Sequence, residues 1–383
     1  MGQSSSPRVD WVSGAFGFGD DLAYFRGVLG GFARRFPSGR VLVREGYPVE
    51  RYPELPLEPS LRFWQRRRDR LLDGVVYTGN LRVPTARTFT RLLRRPADVA
   101  IIVEFTPTAM VTAAAAHLRR RRVVQLLESV PTFRGGADGR LARAVKGALA
   151  RRSHVVLVSN PATARYAVEH LGVRPGRLLT GAYLTSAPVS GSTEAADEGG
   201  PVRFLFVNSL QERKGLDLLL SALETATGDA AREWTLDVVG DGPARAHLEA
   251  RAEVPGLRGR VRFHGHVAHE QVGSYYVGAH VVVCPTRGDY RSLAGFEAVN
   301  AGRPAILSSR DGAAEEIAEA CPAVDVVDPL DRDAFAAALG AYLADGDHLA
   351  TRLALAARVP ARFGMEAVAD NLALAVHAAV RRP

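Results

Sequence analysis

The stretch VVVCPTRGDYRSLAGFEAVNAGRPAI, residues 281–306, decides the fold class. It opens with an apolar run typical of a buried β-strand, continues through a polar loop, and enters a helix that we expect to end before Gly302. A second apolar run follows. Buried strands joined through helices are the repeating unit of a parallel sheet covered on both faces. A packed strand does not need the Asp, Tyr, Arg and Ser found at residues 289–292, so this loop predicts a ligand site.

The same alternation runs along the chain on both sides of a break. Strand-like runs in the first half, separated by helical stretches, are RVDWVSGAF, RVLVREG, VVYTG, DVAIIVEF, RVVQLLES and SHVVLVS. Residues 186–202 are small, polar and turn-forming, and the alternation restarts after them. We predict an α/β protein of two doubly wound, Rossmann-like domains, residues 1–186 and 203–361, facing each other across a cleft. The linker is then 187–202, and a closing helix at about 362–383 packs back on the first domain. Ligands bind such sheets beyond the carboxyl ends of the strands.

Length and composition favour a soluble globular protein of two domains. It has 383 residues, 47% hydrophobic and 23% charged, which suggests two domains with cores of their own. No apolar stretch is long enough to span a bilayer, and residues 1–10 lack the apolar core of a signal peptide. The two cysteines, Cys284 and Cys321, form no disulfide framework and no zinc spacing. We therefore expect a cytoplasmic protein, bacterial by its alanine-rich and arginine-rich composition, with no metal site.

The net charge of +8 is carried by clustered arginines. The clusters are Arg66–Arg68 with Arg70, Arg119–Arg122, and Arg151–Arg152. Three interpretations stay open: solvated faces of an arginine-rich chain, contact with an anionic membrane surface from the cytoplasmic side, or binding of a polyanion. No stacking aromatics are interleaved with the runs, which disfavours nucleic acid.

The helix after residue 292 predicts an anion site. Ser292 is a good N-cap, so the helix begins near Leu293 with free N–H groups and the positive end of its dipole. Asp289 precedes this end and Glu297 lies about one turn inside, roughly 6–7 Å further along the axis. Carboxylates accept paired hydrogen bonds from vicinal hydroxyls. A diphosphate flanked by a donor sugar and a ribose fits, unless Glu297 is merely a surface residue.

Other turns of the second half add candidate ligand groups. Arg213 and Lys214 precede Gly215 at a helix start, where cations oppose the dipole and suggest a counter-anion. GDGPARAHL, starting at Gly240, and VRFHGHV, containing His264 and Gly265, are glycine turns after strands. Each is either an ordinary turn or a close approach of backbone to a base.

The first half offers a glycine-rich loop, GAFGFGDD, at residues 14–21. It is not G-x-G-x-x-G, so the dinucleotide fingerprint is absent. Gly17 and Gly19 could still approach a ligand, while Asp20 or Asp21 caps the following helix.

Together, these motifs resemble the retaining glycosyltransferases of family 4, which have the GT-B fold. FVNSLQERKG, VVGDGP, VRFHGHV and the opening stretch follow that family's order, over roughly residues 203–330. The first half is similar only in pattern and in its glycine loop.

The resemblance implies a role for each matching residue. Glu297 corresponds to the Glu that binds the ribose hydroxyls, Asp289 to the Glu that binds the donor sugar, and Lys214 to a diphosphate ligand. The backbone of residues Tyr290, Arg291, Ser292 and Leu293 would meet the sugar and diphosphate. Gly17 and Gly19 would lie beside the phosphates, and the turn of His264 and Gly265, with Gly240 nearby, would touch the base.

Three departures from the family pattern stand out. Asp289 replaces Glu, which shortens its reach by one methylene. Ser209 stands where the family has a phosphate-binding Arg, and Arg213 is expected to supply the missing charge. Glu128 stands where the family often has a His beside the donor sugar, and is either a sugar or acceptor ligand or a structural residue.

The resulting prediction is a retaining, metal-independent glycosyltransferase that uses a UDP- or GDP-linked sugar and no further cofactor. Asp289, Lys214, Arg213 and Glu128 are the predicted catalytic group. The acceptor is a small molecule, a lipid-linked molecule or a glycan. The alternatives are a sugar-nucleotide epimerase of the same fold and a non-catalytic nucleotide-sugar-binding partner of another transferase.

Overall fold

A computed structural model describes residues 6–12, 22–72, 75–95, 97–128, 139–181, 200–226, 232–289, 291–344, 346–358 and 363–382. The chain divides into two compact units, one made of Met1–Thr185 with Met365–Pro383, the other of Ser186–Gly364. The predicted glycine loop at 14–21 and most of the predicted linker, 187–199, lie outside the described residues.

The first unit is built on a parallel sheet. Its strands are β1 (Val9–Val12), β2 (Arg40–Arg44), β3 (Leu57–Leu61), β6 (Val99–Val103), β7 (Arg122–Leu127), β8 (Val155–Val158) and β9 (Leu178–Thr180). They lie in the order β3-β2-β1-β6-β7-β8-β9, each parallel to its neighbour. The order reverses beside β1, which is the doubly wound pattern.

Helices cover this sheet. They are α1 (Ala23–Arg35), α2 (Ala86–Arg94), α3 (Pro107–Leu118), α4 (Arg140–Arg152), α5 (Pro161–Glu169) and α13 (Met365–Arg381). Leu372 and Val376 of α13 belong to the same buried cluster as Phe32 of α1 and Trp11 of β1. The last helix of the chain is therefore part of the first unit's core.

One strand prediction is wrong about its partner. The run VVYTG, expected in the parallel alternation, lies in β5 (Val75–Pro84), which pairs antiparallel with β4 (Phe63–Leu72) in a separate two-stranded sheet. The signal was present, because Asp73-Gly74 stands between the two runs and Asp-Gly is typical of a two-residue hairpin turn. Residues 73 and 74 themselves lie outside the described part of the chain.

The second unit repeats the parallel design. Its strands are β10 (Val202–Val207), β11 (Trp234–Val239), β12 (Val261–Gly265), β13 (Val281–Cys284), β14 (Ala305–Ser308) and β15 (Val324–Val327). Their order is β12-β11-β10-β13-β14-β15, all parallel. The order reverses between β10 and β13, so a ligand crevice is expected at the carboxyl ends of these two strands.

Its helices pack on both faces of that sheet, around two buried clusters. They are α6 (Leu216–Ala226), α7 (Arg245–Ala252), α8 (His269–Gly278), α9 (Leu293–Asn300), α10 (Ala314–Ala320), α11 (Arg332–Ala344) and α12 (Gly346–Ala356). None of the helices in the described parts of the chain is long and apolar enough to cross a membrane.

Candidate active site

The loop after β10 and the loop after β13 are tied together at the carboxyl edge of the second sheet. The first forms a 3-10 turn, Glu212–Lys214, closed by Gly215 in the left-handed region at φ +73°. A Cβ there would lie 2.0 Å from the carbonyl oxygen of Pro285 in the second loop. Only glycine allows this approach.

Hydrogen bonds fix the two loops further. The carbonyl oxygen of Arg213 accepts from the N–H of Arg287 at 2.8 Å and from the hydroxyl of Thr286 at 3.0 Å. The guanidinium of Arg287 forms a two-pronged pair with Asp217, at 2.7 and 2.6 Å. The turn that carries Arg213 and Lys214 is thus held rigidly against the strand end that leads to Asp289.

Three of the predicted site residues meet here. Lys214 Nζ lies 2.5 Å from Asp289 Oδ2, and Arg213 Nη1 lies 3.2 Å from the same oxygen. The side chains of Lys214 and Asp289 are only 9% and 12% exposed. Burial acts to raise the pKa of Asp289, but the charges of Lys214 and Arg213 outweigh it, and the pKa lies below its usual range. The counter-charge expected for the two cations is, in this structure, a carboxylate of the protein.

A third loop, after β14, holds the backbone of Asp289 through two hydrogen bonds. The N–H of Asp289 donates to Arg310, and its carbonyl oxygen accepts from Gly312. Between them, Asp311 is buried, and its Oδ1 accepts the N–H groups of Ser292 at 3.2 Å and Ala313 at 2.9 Å. Burial, together with the charge of Asp289, raises the pKa of Asp311 to about 7.

Helix α9 begins at Leu293 and stops before Gly302, as predicted. Ser292 is the N-cap residue, but its side chain makes no capping hydrogen bond. Within the described residues, no acceptor takes the N–H groups of Leu293, Ala294 and Gly295. These donors form the positive end of the helix.

Glu297 is buried, not on the surface, with 4% of its area exposed. Its Oε2 accepts a hydrogen bond of 2.5 Å from the hydroxyl of Tyr276 in α8. Burial raises the pKa of Glu297 to about 7, although the Tyr276 hydrogen bond acts in the opposite direction. A carboxylate held in this way is suited to accept further hydroxyl donors.

Arg291 is placed at the helix start, but its side chain has structural partners. It is buried, pairs with Glu316 of α10, and stacks with its guanidinium carbon 4.0 Å from the ring centre of Phe296. The predicted contact of Arg291 with the sugar and diphosphate is made by its backbone and does not require its side chain. Tyr290 lies outside the described residues.

The loops after β10, β11 and β12 also approach one another closely. Gly240 has φ +133°, and a Cβ there would lie 1.9 Å from the carbonyl oxygen of Asn208. Its N–H donates to the carbonyl oxygen of Gly265 at 2.8 Å, and Gly265 itself has φ +71°. Ser209 follows Asn208 in the loop that carries Lys214.

His264 is fixed by two neighbours. Its Nε2 lies 2.6 Å from Asp237 Oδ1, and its Nδ1 lies 3.3 Å from the Tyr275 hydroxyl. The ring is therefore oriented at the predicted base-binding turn. Among the described residues, no group of three or more His, Cys, Asp or Glu side chains has the arrangement of a metal site.

The remaining predicted residues belong to the first unit. Glu128 follows β7; its N–H donates to Glu104 Oε1, and its carbonyl oxygen accepts from Thr163. Gly17 and Gly19 lie outside the described residues.

Sequence reasoning missed Asp311, Tyr276 and Asp237. Asp311 could have been found, because like Asp289 it is an acidic residue just after a buried strand of the second sheet. Tyr276 and Asp237 carry no such signal, since one lies inside a helix and the other inside a strand.

Comparison with solved structures identifies the architecture. The chain superimposes on Anabaena HepE in complex with UDP and glucose with a TM-score of 0.71 and 15% identity, covering 97% of this chain and 99% of that chain. For WaaG, a glycosyltransferase involved in lipopolysaccharide biosynthesis, the TM-score is 0.66 at 18% identity, covering 95% and 98%. At these identities the likeness shows the fold alone, and it confirms the predicted α/β fold class, GT-B.

The second unit also matches by sequence. Residues 201–345 match the family model described as glycosyl transferases group 1. The chain is 35% identical over 185 residues to a D-inositol 3-phosphate glycosyltransferase from Xylanimonas cellulosilytica, covering 47% of this chain and 43% of the relative. It is 30% identical over 171 residues to an α-D-kanosaminyltransferase from Streptomyces kanamyceticus, covering 44% of each. The chain thus matches less than half the length of these curated relatives.

Proposed function

We propose that the protein is a retaining glycosyltransferase that transfers a sugar from a UDP- or GDP-linked donor. One observation carries the proposal: Lys214 and Arg213 meet at the carboxylate of Asp289, three residues before the N-cap residue of α9, and Glu297 is buried one turn inside that helix. All of these residues lie within the segment that matches group 1 glycosyltransferases.

The diphosphate would bind where cations and helix N–H groups converge. Leaving-group departure adds negative charge to this diphosphate, and fixed donors in a site that excludes water stabilise such charge most effectively. An incoming diphosphate attracts Lys214 and Arg213 away from Asp289. The carboxylate of Asp289 then becomes available to accept hydroxyls of the donor sugar.

The ribose would bind at Glu297. Two hydroxyls that donate to its carboxylate favour the ionised form, and thereby offset the burial that raises its pKa in the ligand-free protein. Tyr276 fixes the position of this carboxylate through its hydroxyl. The turn of Gly240 and Gly265, beside the oriented His264, would lie against the base.

The chemical step we propose leaves the anomeric configuration unchanged. The bond from the anomeric carbon to the diphosphate breaks, the acceptor hydroxyl oxygen bonds to the same face, and its proton passes to the departing phosphate. The positive charges of Lys214 and Arg213 do the work that a metal ion would otherwise do. The acceptor class stays open between a small molecule, a lipid-linked molecule and a glycan, and we place the reaction in the cytoplasm.

A donor screen followed by product analysis tests the proposal. Thermal shifts with nucleoside diphosphates and their sugars identify the donor, because a ligand that binds the native state raises apparent stability. NMR of the product anomeric proton then reports retention or inversion. Tight nucleotide binding without hydrolysis or transfer of any donor would favour a non-catalytic partner, and interconversion of the free sugar nucleotide would favour an epimerase. The glycosyltransferase similarity of residues 201–345 favours transfer over both.

A further inference from the structure

The antiparallel hairpin of the first unit, β4 with β5, is an addition to the parallel sheet. We call residues Phe63–Leu72 and Val75–Pro84 the arm. It starts two residues after the carboxyl end of β3, so it stands at the edge of the sheet where a doubly wound domain binds its ligands. None of the predicted donor-binding residues belongs to it.

The base of the arm is fixed. Thr88 Oγ1 accepts the N–H of Arg62 at 2.8 Å and donates to the carbonyl oxygen of Arg62 at 2.9 Å. Phe63 packs beside Leu61 and Leu92 in a small buried cluster. The base of the arm is therefore anchored in the unit.

The face opposite to Phe63 is exposed, and three of its four described side chains are apolar. Trp64 pairs with Val83, and Arg66 with Leu81, so these four side chains share one face of the hairpin. Trp64 is 76% exposed, Val83 42% and Leu81 38%, and Arg66 is exposed as well. We call Trp64, Arg66, Leu81 and Val83 the arm face.

The composition of the arm face selects its partner. Tryptophan is enriched at the boundary between lipid headgroups and hydrocarbon, aliphatic side chains gain by leaving water, and arginine is attracted to anionic lipid. Arg66 supplies this positive charge on the arm face. In a symmetric pair of two copies of the chain, the arginines of the two arm faces would repel each other. A nucleic acid would offer no apolar surface to Leu81 and Val83.

We propose that the arm face docks on the surface of an anionic phospholipid bilayer. The tryptophans make this directly measurable, because the chain has three and the other two, Trp11 and Trp234, are each only 1% exposed. A change in tryptophan emission on adding vesicles therefore reports Trp64.

The experiment adds vesicles of phosphatidylcholine alone, or with phosphatidylglycerol, to the full-length protein without any donor. We expect a blue shift and quenching by brominated phosphatidylglycerol vesicles, with neither change in Trp64→Phe. Arg66→Glu should weaken co-sedimentation on the order of tenfold, since each arginine near the surface contributes about 1 kcal/mol. Arg119→Glu makes the same charge change at an exposed residue of another cluster and should leave binding nearly unchanged.

Several outcomes would overturn the proposal. They are emission unchanged by anionic vesicles, quenching that persists in Trp64→Phe, or equal weakening by Arg66→Glu and Arg119→Glu. A Trp64 shift produced by an oligonucleotide in place of vesicles, or by self-association at rising protein concentration, would assign the arm face to a different partner. Donor binding is not measured, so the result is independent of the proposed transferase activity.

Discussion

Lys214 Nζ lies 2.5 Å from Asp289 Oδ2, and this pair joins two residues that are 75 positions apart in the chain. The pair connects the end of β10 to the end of β13, the two strands between which the sheet order reverses. A nucleotide sugar would separate it, since its diphosphate competes for the lysine and its hydroxyls for the carboxylate. The ligand-free contact keeps both side chains in position for that exchange.

Lys214→Ala should lower kcat/KM by about two to three orders of magnitude, the range found when one donor to developing negative charge in a transition state is removed. It should also weaken binding of nucleoside diphosphate. Lys146→Ala is the matched control, because Lys146 is the only other lysine in the chain and contacts Phe105 in the first unit. Equal activity loss in both variants would contradict the assigned role.

Glu297→Gln should weaken binding of a nucleoside diphosphate but leave binding of its 2′,3′-dideoxy form nearly unchanged. The reason is that the carboxylate is proposed to accept the two ribose hydroxyls, which the dideoxy form lacks. Titration calorimetry with both ligands on both proteins measures this difference. An equal loss for the two ligands would mean that Glu297 acts on the fold and not on the ribose.

The same residue predicts a pH dependence of stability. The pKa of Glu297 is raised from 4.5 to about 7 in the folded chain, so the folded state holds a proton that the unfolded state has lost between these values. The contribution of Glu297 to the free energy of unfolding therefore falls as pH rises from about 4.5 to about 7. Glu297→Gln keeps a neutral group at all pH values. Its melting temperature should equal that of the wild type near pH 5 and exceed it near pH 8; a constant difference across this range would contradict the assignment.

Gly215→Ala should abolish nucleotide binding and lower the melting temperature. The substitution places a Cβ 2.0 Å from the Pro285 carbonyl oxygen at φ +73°, so the turn that carries Lys214 has to shift. We expect a loss of stability of about 1–3 kcal/mol. Gly340→Ala lies within α11, and apart from its chain neighbours and the backbone of its own helix nothing comes within 4 Å of the added carbon. It should be neutral or stabilising. Normal nucleotide binding by Gly215→Ala would show that the turn need not hold its position.

Much of the second unit follows from sequence because local signals and burial agree there. Ser292 and Gly302 mark the ends of α9 in the sequence, although the Ser292 side chain makes no capping hydrogen bond. The apolar residues around Glu297 predict its burial. Hydrogen-bond and ion-pair partners that come from distant segments of the chain cannot be predicted from local sequence. Nothing adjacent to Tyr276 signals that its hydroxyl reaches Glu297, and nothing adjacent to Asp289 signals that Arg213 and Lys214 share one of its oxygens.

The prediction that VVYTG lies in the parallel sheet was wrong for a different reason. The apolar run of β5 looks like a strand of the parallel sheet, and the expectation of a continuous βα repeat outweighed the Asp73-Gly74 signal. Asp311 was missed although it obeys the rule that identified Asp289. The roles predicted for Ser209, Glu128, Gly17 and Gly19 stay predictions.

A crystal structure of the protein with the nucleoside diphosphate that stabilises it tests the proposed site. We expect the diphosphate on the N–H groups of Leu293–Gly295, with Lys214 Nζ moved from Asp289 to a phosphate oxygen and the ribose hydroxyls on Glu297. A diphosphate bound elsewhere, with the Lys214–Asp289 pair intact, would contradict it.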